Sequence, residues 1–219
     1  MALTRGGIKQ RVRVYGRNLF GGDADRDPFG LDFLVKDVCN DIARETDCNM
    51  GRRILDLVAD QQEYCAPDVY RIVAIFATDP NTAALYRVPI YWNYERHLDD
   101  WRNQNSSDRV ERVGVFAQNR IGVYPTPSAD FTAGLTVEGY AIPGDYWVYD
   151  SSGVGVAPTD ADACPLPDYA HECVVYGVLA MRAKQMGDAN AIQIWEPEYR
   201  KRLGEVESNA GMYARRTGR

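Results

Sequence analysis

At 219 residues, with 45% hydrophobic and 26% charged side chains, the chain can bury one sizeable core or a core carrying a large insertion, and its composition is that of a globular protein. Five cysteines without a Cys-x-x-Cys pair and only two histidines provide no metal-ligand spacing, so the thiols are expected to be buried apolar groups. The formal charge of -6 is uneven: Arg5, Lys9, Arg11, Arg13 and Arg17 at one end and Arg215, Arg216 and Arg219 at the other leave 17 basic against 31 acidic residues, a body near -14 that should repel nucleic acid while its ends are drawn to acidic surfaces.

Residues 1–20 are basic and polar, without the apolar run of a secretory signal, and no window has the apolar length to span a bilayer. The junction GGDADRDPFG, residues 21–30, alternates acids like a calcium loop, but Pro28 and Leu34 occupy the positions that need glycine and glutamate. Asp27 suits an N-cap with Pro28 at the first helical position, and Asp32 is the other possible start. From there Leu31, Leu34, Val35, Val38 and Ile42 share one face, predicting an amphipathic helix that ends near Asn49-Met50-Gly51.

A β-rich stretch follows. ILDLV (54–58) and VYRIVAIF (69–76) are expected strands around a turn at Ala66 to Asp68, and ALYRVPIYW (84–92) is a strand interrupted by Pro89, which favours an edge. Tyr94, His97, Leu98 and Trp101 share one helical side, and residues 102–108 form a loop. Val113, Val115 and Ala117 alternate before a turn at Gln118-Asn119, and Ile121, Val123 and Pro125 return. LTVEGYAI (135–142) is expected to add a third strand, making residues 113–143 a small meander. Trp147 and Tyr149, in a glycine-spaced stretch, are either core residues or anchors for another chain.

In the last third, Pro165, Pro167 and Asp168 open a helix carrying Tyr169, Cys173, Tyr176 and Ala180. Gly187 is its C-cap, Asp188 caps a second helix with Ile192, Trp195, Tyr199, Leu203 and Val206 on one stripe, and the two helices must pack antiparallel. Pro197 removes a backbone donor inside that second helix and should kink it. His171, on the first turn beside Glu172, is expected to be a surface or interface residue.

The fold class expected from this order is α+β, a helical bundle of N- and C-terminal helices with an inserted β-rich domain. Its divisions are an extension at 1–30, a helical body at 31–50 and 165–207, a β-rich insert at 51–164 and a basic tail at 208–219. Three patches, RRILDLVADQQEYCAPDVYRIVAI, IGVYPTPSADFTAGLTVEGYAIP and LPDYAHECVVYGVLAMRAKQMGDANAIQIWEPEYRKRL, together resemble the head-to-tail adaptor (connector) proteins of tailed bacteriophages. The resemblance spans roughly residues 31–206, and the basic segment 1–20, the junction after it and Pro197 depart from it.

The resemblance implies a structural virion protein at the neck, made in the host cytoplasm, with no catalytic residue, metal or cofactor. It implies a ring of twelve copies whose partners are the portal protein and a tail nozzle, tail tube or stopper, with double-stranded DNA passing through unbound and no membrane contact. Leu31 to Asp47 and Tyr169 to Val206 would form the subunit-packing body, residues 113–143 would face a partner or an adjacent β unit, and Arg215, Arg216 and Arg219 would contact the portal. Tyr140, Trp147, Tyr176, Trp195 and Tyr199 are the expected bulky interface anchors. The alternatives are a tail or capsid accessory protein binding through its β region, and a carbohydrate-acting enzyme using Asp145 with Glu138 or Asp168 with Glu172 near Tyr146, Trp147 and Tyr149.

Overall fold

The computed structural model describes residues 3–17, 19–20, 28–66, 68–92, 106–116, 120–143, 148–149, 155–156 and 159–216, with the backbone alone at 28–29, 148–149, 155–156 and 213–216. The chain divides into two units, one made of Met1–Asn49 with Ile142–Arg219 and the other of Met50–Ala141. This is the expected α+β arrangement of terminal helices around a β-rich insert.

The first unit is helical. Helix α1 (Arg5–Tyr15) is capped by the Thr4 hydroxyl, which accepts the Gly7 N–H. Helix α2 (Pro28–Thr46) begins at the proline expected to open it, while Asp27 lies outside the described residues. A single 3-10 turn at Asp168–Ala170 leads into α3 (His171–Met186), and α4 (Ala189–Arg216) completes the unit. Gly187 stops α3 with φ +66°, a left-handed conformation that glycine adopts without penalty. The Asp188 carboxylate then accepts the Ala191 N–H to start α4.

The predicted apolar stripes meet in one core: Leu31, Leu34, Val35, Val38 and Ile42 from α2 are buried against Cys173, Val174 and Val178 from α3, and Trp195, Tyr199 and Leu203 pack on it. Fully burying one such aliphatic side chain is worth about 1.5–3 kcal/mol, which makes this core the main support of the helices. Residues 208–216, expected as a tail, continue α4. The helix also runs through Pro197, which is exposed.

Residues 5–15 depart further from the expected extension. Ile8 and Val12 are completely buried, and Lys9 is buried as well. Three of the cations meet acids of their own chain: Arg5 and Lys9 pair with Asp32 at 3.0 and 2.7 Å, Lys9 also with Asp160 at 2.5 Å, and Arg11 with Glu172.

The second unit holds two four-stranded sheets. One has the order β1 (Met50–Leu57), β8 (Phe131–Ala141), β3 (Val69–Thr78), β4 (Leu85–Arg87), and the other β2 (Glu63–Cys65), β7 (Arg120–Tyr124), β6 (Arg112–Phe116), β5 (Ile90–Tyr91). Ile75, Leu135 and Val137 from the first sheet share a core with Val113, Ile121 and Val123 from the second. Pro89 marks the passage between sheets: β4 is the edge of the first, β5 pairs in parallel with β6 at the edge of the second, and the Pro89 carbonyl accepts the Val113 N–H at 3.0 Å.

The β6–β7 hairpin pairs as predicted, with Val115 opposite Ile121, but β8 is not its third strand. Pro125 and Pro127 have no N–H with which to extend the ladder, and the chain turns away there. β8 becomes an inner strand of the other sheet, between β1 and β3, so the expected meander over 113–143 is corrected. Strands β9 (Val148–Tyr149) and β10 (Gly155–Val156) form a separate ribbon. The expected helical element with His97 and the hairpin turn at Gln118-Asn119 fall outside the described residues.

All five cysteines are free thiols, and Cys39, Cys48, Cys164 and Cys173 are buried whereas Cys65 is exposed. Burial pushes the Cys173 thiol up to about 12, the behaviour of an inert core group. No group of metal-binding residues occurs among the described residues, and no described helix is long and apolar enough to cross a membrane.

Candidate assembly surfaces

Helix α3 is the axis of the helical unit, and its neighbours set the surfaces available to other chains. Gly177 lets two of them come close: a Cβ there would lie 2.5 Å from Val38 Cγ1 on α2 and 2.9 Å from the Tyr199 ring on α4. Above this contact a groove of about 370 Å³ opens between α2 and α4, floored by Val38, Gly177, Ala180, Met181 and Leu203.

The two lips of the groove differ in charge. On the α4 side Glu196 is held by Lys184 at 2.5 Å and by Arg200 at 3.0 Å, so its carboxyl lies below the usual range and its cations are engaged. On the α2 side Asp41 and Glu45 border the groove, Asp37 stands one turn earlier on the helix, and none of the three has a hydrogen bond or ion pair among the described residues. Burial, and then the neighbouring Asp37 carboxylate, raise Asp41 above the ordinary carboxylate value. Like charges at this spacing cost a helix about 0.2–0.5 kcal/mol per pair, so the acidic row is not there to stabilise α2.

A second surface lies where α1 meets α3. Tyr15 stacks on Tyr176 with ring centres 6.3 Å apart, Tyr176 meets Trp195 at 6.1 Å, and the Arg202 guanidinium sits 5.7 Å from the Tyr176 ring. Of the aromatic residues expected as anchors, Tyr176 and Trp195 therefore meet, and Tyr15 joins them. Tyr199 belongs to the intramolecular packing instead, where burial raises its phenol well above the ordinary value.

Tyr140 lies on β8, opposite Met50, with the Arg71 guanidinium 4.2 Å from its ring centre. Arg215 and Arg216 form the last turn of α4, and Trp147 and Arg219 fall outside the described residues.

His171, expected as a surface or interface residue, is instead buried, with 2% exposure. Its Nδ1 accepts the Leu3 N–H at 2.9 Å, and its Nε2 lies 2.8 Å from the Leu166 carbonyl, so the proton belongs on Nε2 and both ring nitrogens serve the backbone. The carboxylate pairs considered for glycoside chemistry are equally committed or unplaced. Glu172 pairs with Arg11, Glu138 with Arg52 at 2.7 Å, and Asp145 lies outside the described residues.

What sequence reasoning missed is α1 and the acidic lip. The signal for α1 was present in Thr4 followed by Ile8 and Val12 one turn apart, diluted by the cations between them.

The profile of the SU10 adaptor protein family matches residues 3–219, including α1, the β unit and all of α4. The chain belongs to the SU10 adaptor family. No curated protein matches it. As an SU10 adaptor it is a structural protein of the phage neck, a ring-shaped connector between portal and tail, and its work is assembly, not catalysis.

Proposed function

We propose that twelve copies of this SU10 adaptor, made in the host cytoplasm, close a ring on the portal protein and receive a tail nozzle, tail tube or stopper on the far side, with double-stranded DNA passing through unbound. The observation that carries the neck assignment is the family match along residues 3–219. A passive channel is supported by charge. Since residues 5–15 belong to the folded unit, only the three C-terminal arginines can be set apart from the body, which leaves 22 basic against 31 acidic residues. Each phosphate neutralised by a cation would add a salt-dependent grip on the genome, and an acidic surface minimises it.

The C-terminal end of the chain is the portal contact in this proposal, through Arg215, Arg216 and Arg219. Ala210 packs on the helical core, so the informative truncation removes Met212–Arg219 and leaves Ala210 in place. Portal binding of the truncated chain, measured by co-sedimentation, is expected to fall at least tenfold while its circular dichroism is unchanged. Undiminished binding would remove α4 from the portal contact, and a reconstruction of the chain on its portal tests the copy number.

A further inference from the structure

The groove between α2 and α4 has an unpaired acidic lip, and the same chain carries a face of opposite character on α1. Gln10 and Val14 project from that helix away from its buried side, Arg13 flanks them, and Arg17 stands exposed two residues past the helix end. Val14 is 66% exposed, an isolated apolar knob. Neither Arg13 nor Arg17 has an ion pair among the described residues, and Arg13 Nε is buried without a hydrogen-bond partner. Arg17 thus differs from Arg5, Lys9 and Arg11, whose partners lie within the unit, whereas the charge of Arg13 also acts on Asp160.

The two faces are opposite in charge, Arg13 and Arg17 on one and Asp41 and Glu45 on the other. Their placement around α3 also suits a ring. Helix α1 packs on α3 near Glu172, Tyr176 and Leu179, through the Arg11 pair, the Tyr15 stack and the approach of Gly16 to Leu179. At 3.6 residues per turn these positions lie about 200–260° round α3 from Gly177, on which Val38 of α2 sits. The side of α3 that α1 covers is therefore not the side that carries the groove. Two different complementary patches on one subunit make a head-to-tail contact, which closes into a ring when the rotation per subunit allows it.

We propose that the α2–α4 groove receives α1 of a second copy of this chain, with Val14 over the apolar floor and Arg13 and Arg17 facing Asp41 and Glu45. The inference rests on the ring assembly above and assigns its subunit contact. Every copy then offers one knob and one groove, and the acid row gains further cations on assembly.

The test is a charge swap in the full-length chain, with assembly followed by mass photometry of the chain alone and on its portal, and folding by circular dichroism. Arg13→Glu with Arg17→Glu, and separately Asp41→Lys with Glu45→Lys, are each expected to leave the fold intact and to raise the half-assembly concentration at least tenfold. The chain carrying all four changes is expected to regain assembly. If wild type forms rings and either reversal leaves them unchanged, or the four-fold variant stays folded but unassembled, the contact is wrong although the ring stands. If the groove reversal abolishes attachment to the portal but not ring formation, the occupant is a portal segment and the proposal is overturned. If wild type forms no closed oligomer alone or on the portal, the ring itself fails.

Discussion

Gly177 shows how a single missing methyl group determines which helices can be neighbours. Alanine at an ordinary helix interior position would gain about 1 kcal/mol over glycine. Here the added carbon would press on Val38 and Tyr199 at well under contact distance, and overpacking of this kind costs about 1–3 kcal/mol. Gly177→Ala is therefore expected to lower the unfolding free energy in urea, and a neutral or stabilising result would show that α2 and α4 yield freely. Asp41 is a different case, because its difficulty is electrostatic. Its raised pKa means that the folded chain holds this proton more tightly than the unfolded chain, so stability falls as pH rises from the ordinary carboxylate value through the folded one. Asp41→Asn should flatten that part of the stability profile and make the isolated subunit more stable at neutral pH, as thermal unfolding across the acid range would show. A side chain that weakens the free subunit is a reasonable sign that something else needs it.

Among the elements, α4 carries an internal conflict at Pro197. The proline lies on the solvent side of a helix whose other face holds Trp195, Tyr199, Leu203 and Val206 against the core. That packing offsets the loss of one backbone bond and a propensity cost of about 3 kcal/mol. Pro197→Ala is expected to raise the melting temperature, by up to about 3 kcal/mol of added stability, and an unchanged value would mean that the helix has absorbed the cost by local bending. Helices α2, α3 and α4 were legible in the sequence because each couples a 3.6-residue apolar stripe to a cap: Pro28 before Leu31, Gly187 after Met186, Asp188 before Ala191. Helix α1 was not, because its inner face includes Arg5 and Lys9. Those cations are accommodated inside only through Asp32 and Asp160, which lie far along the chain and leave no local trace. The same limit explains β8. Alternation showed that Leu135 and Val137 share a side, but nothing local says whether the partner strand is β7 or β1, and the answer came from the prolines that stop β7. Of the assembly surface, the aromatic meeting of Tyr176 and Trp195 could be anticipated from spacing on the α3–α4 hairpin. The acidic lip needed the packed helices, since only then do Asp41 and Glu45 border an apolar floor.

At the level of the whole molecule, the β unit enters and leaves the helical chain at one place. Met50 on β1 is paired in register with Tyr140 on β8, so the ends of the insert lie about 5 Å apart, the distance between facing strands. Replacing Met50–Ala141 by a few glycines is expected to leave the helical core folded and cooperative, measurable as retained helical ellipticity with a single unfolding transition. Collapse to an unfolded chain would show that the helices need the insert. The four buried thiols and the single exposed one at Cys65 have a practical consequence for the intact neck. A maleimide dye applied to folded protein should attach once per chain, on the β unit, with no engineered cysteine. Stepwise photobleaching of single labelled particles would then count the subunits directly, one dye for every copy in the junction.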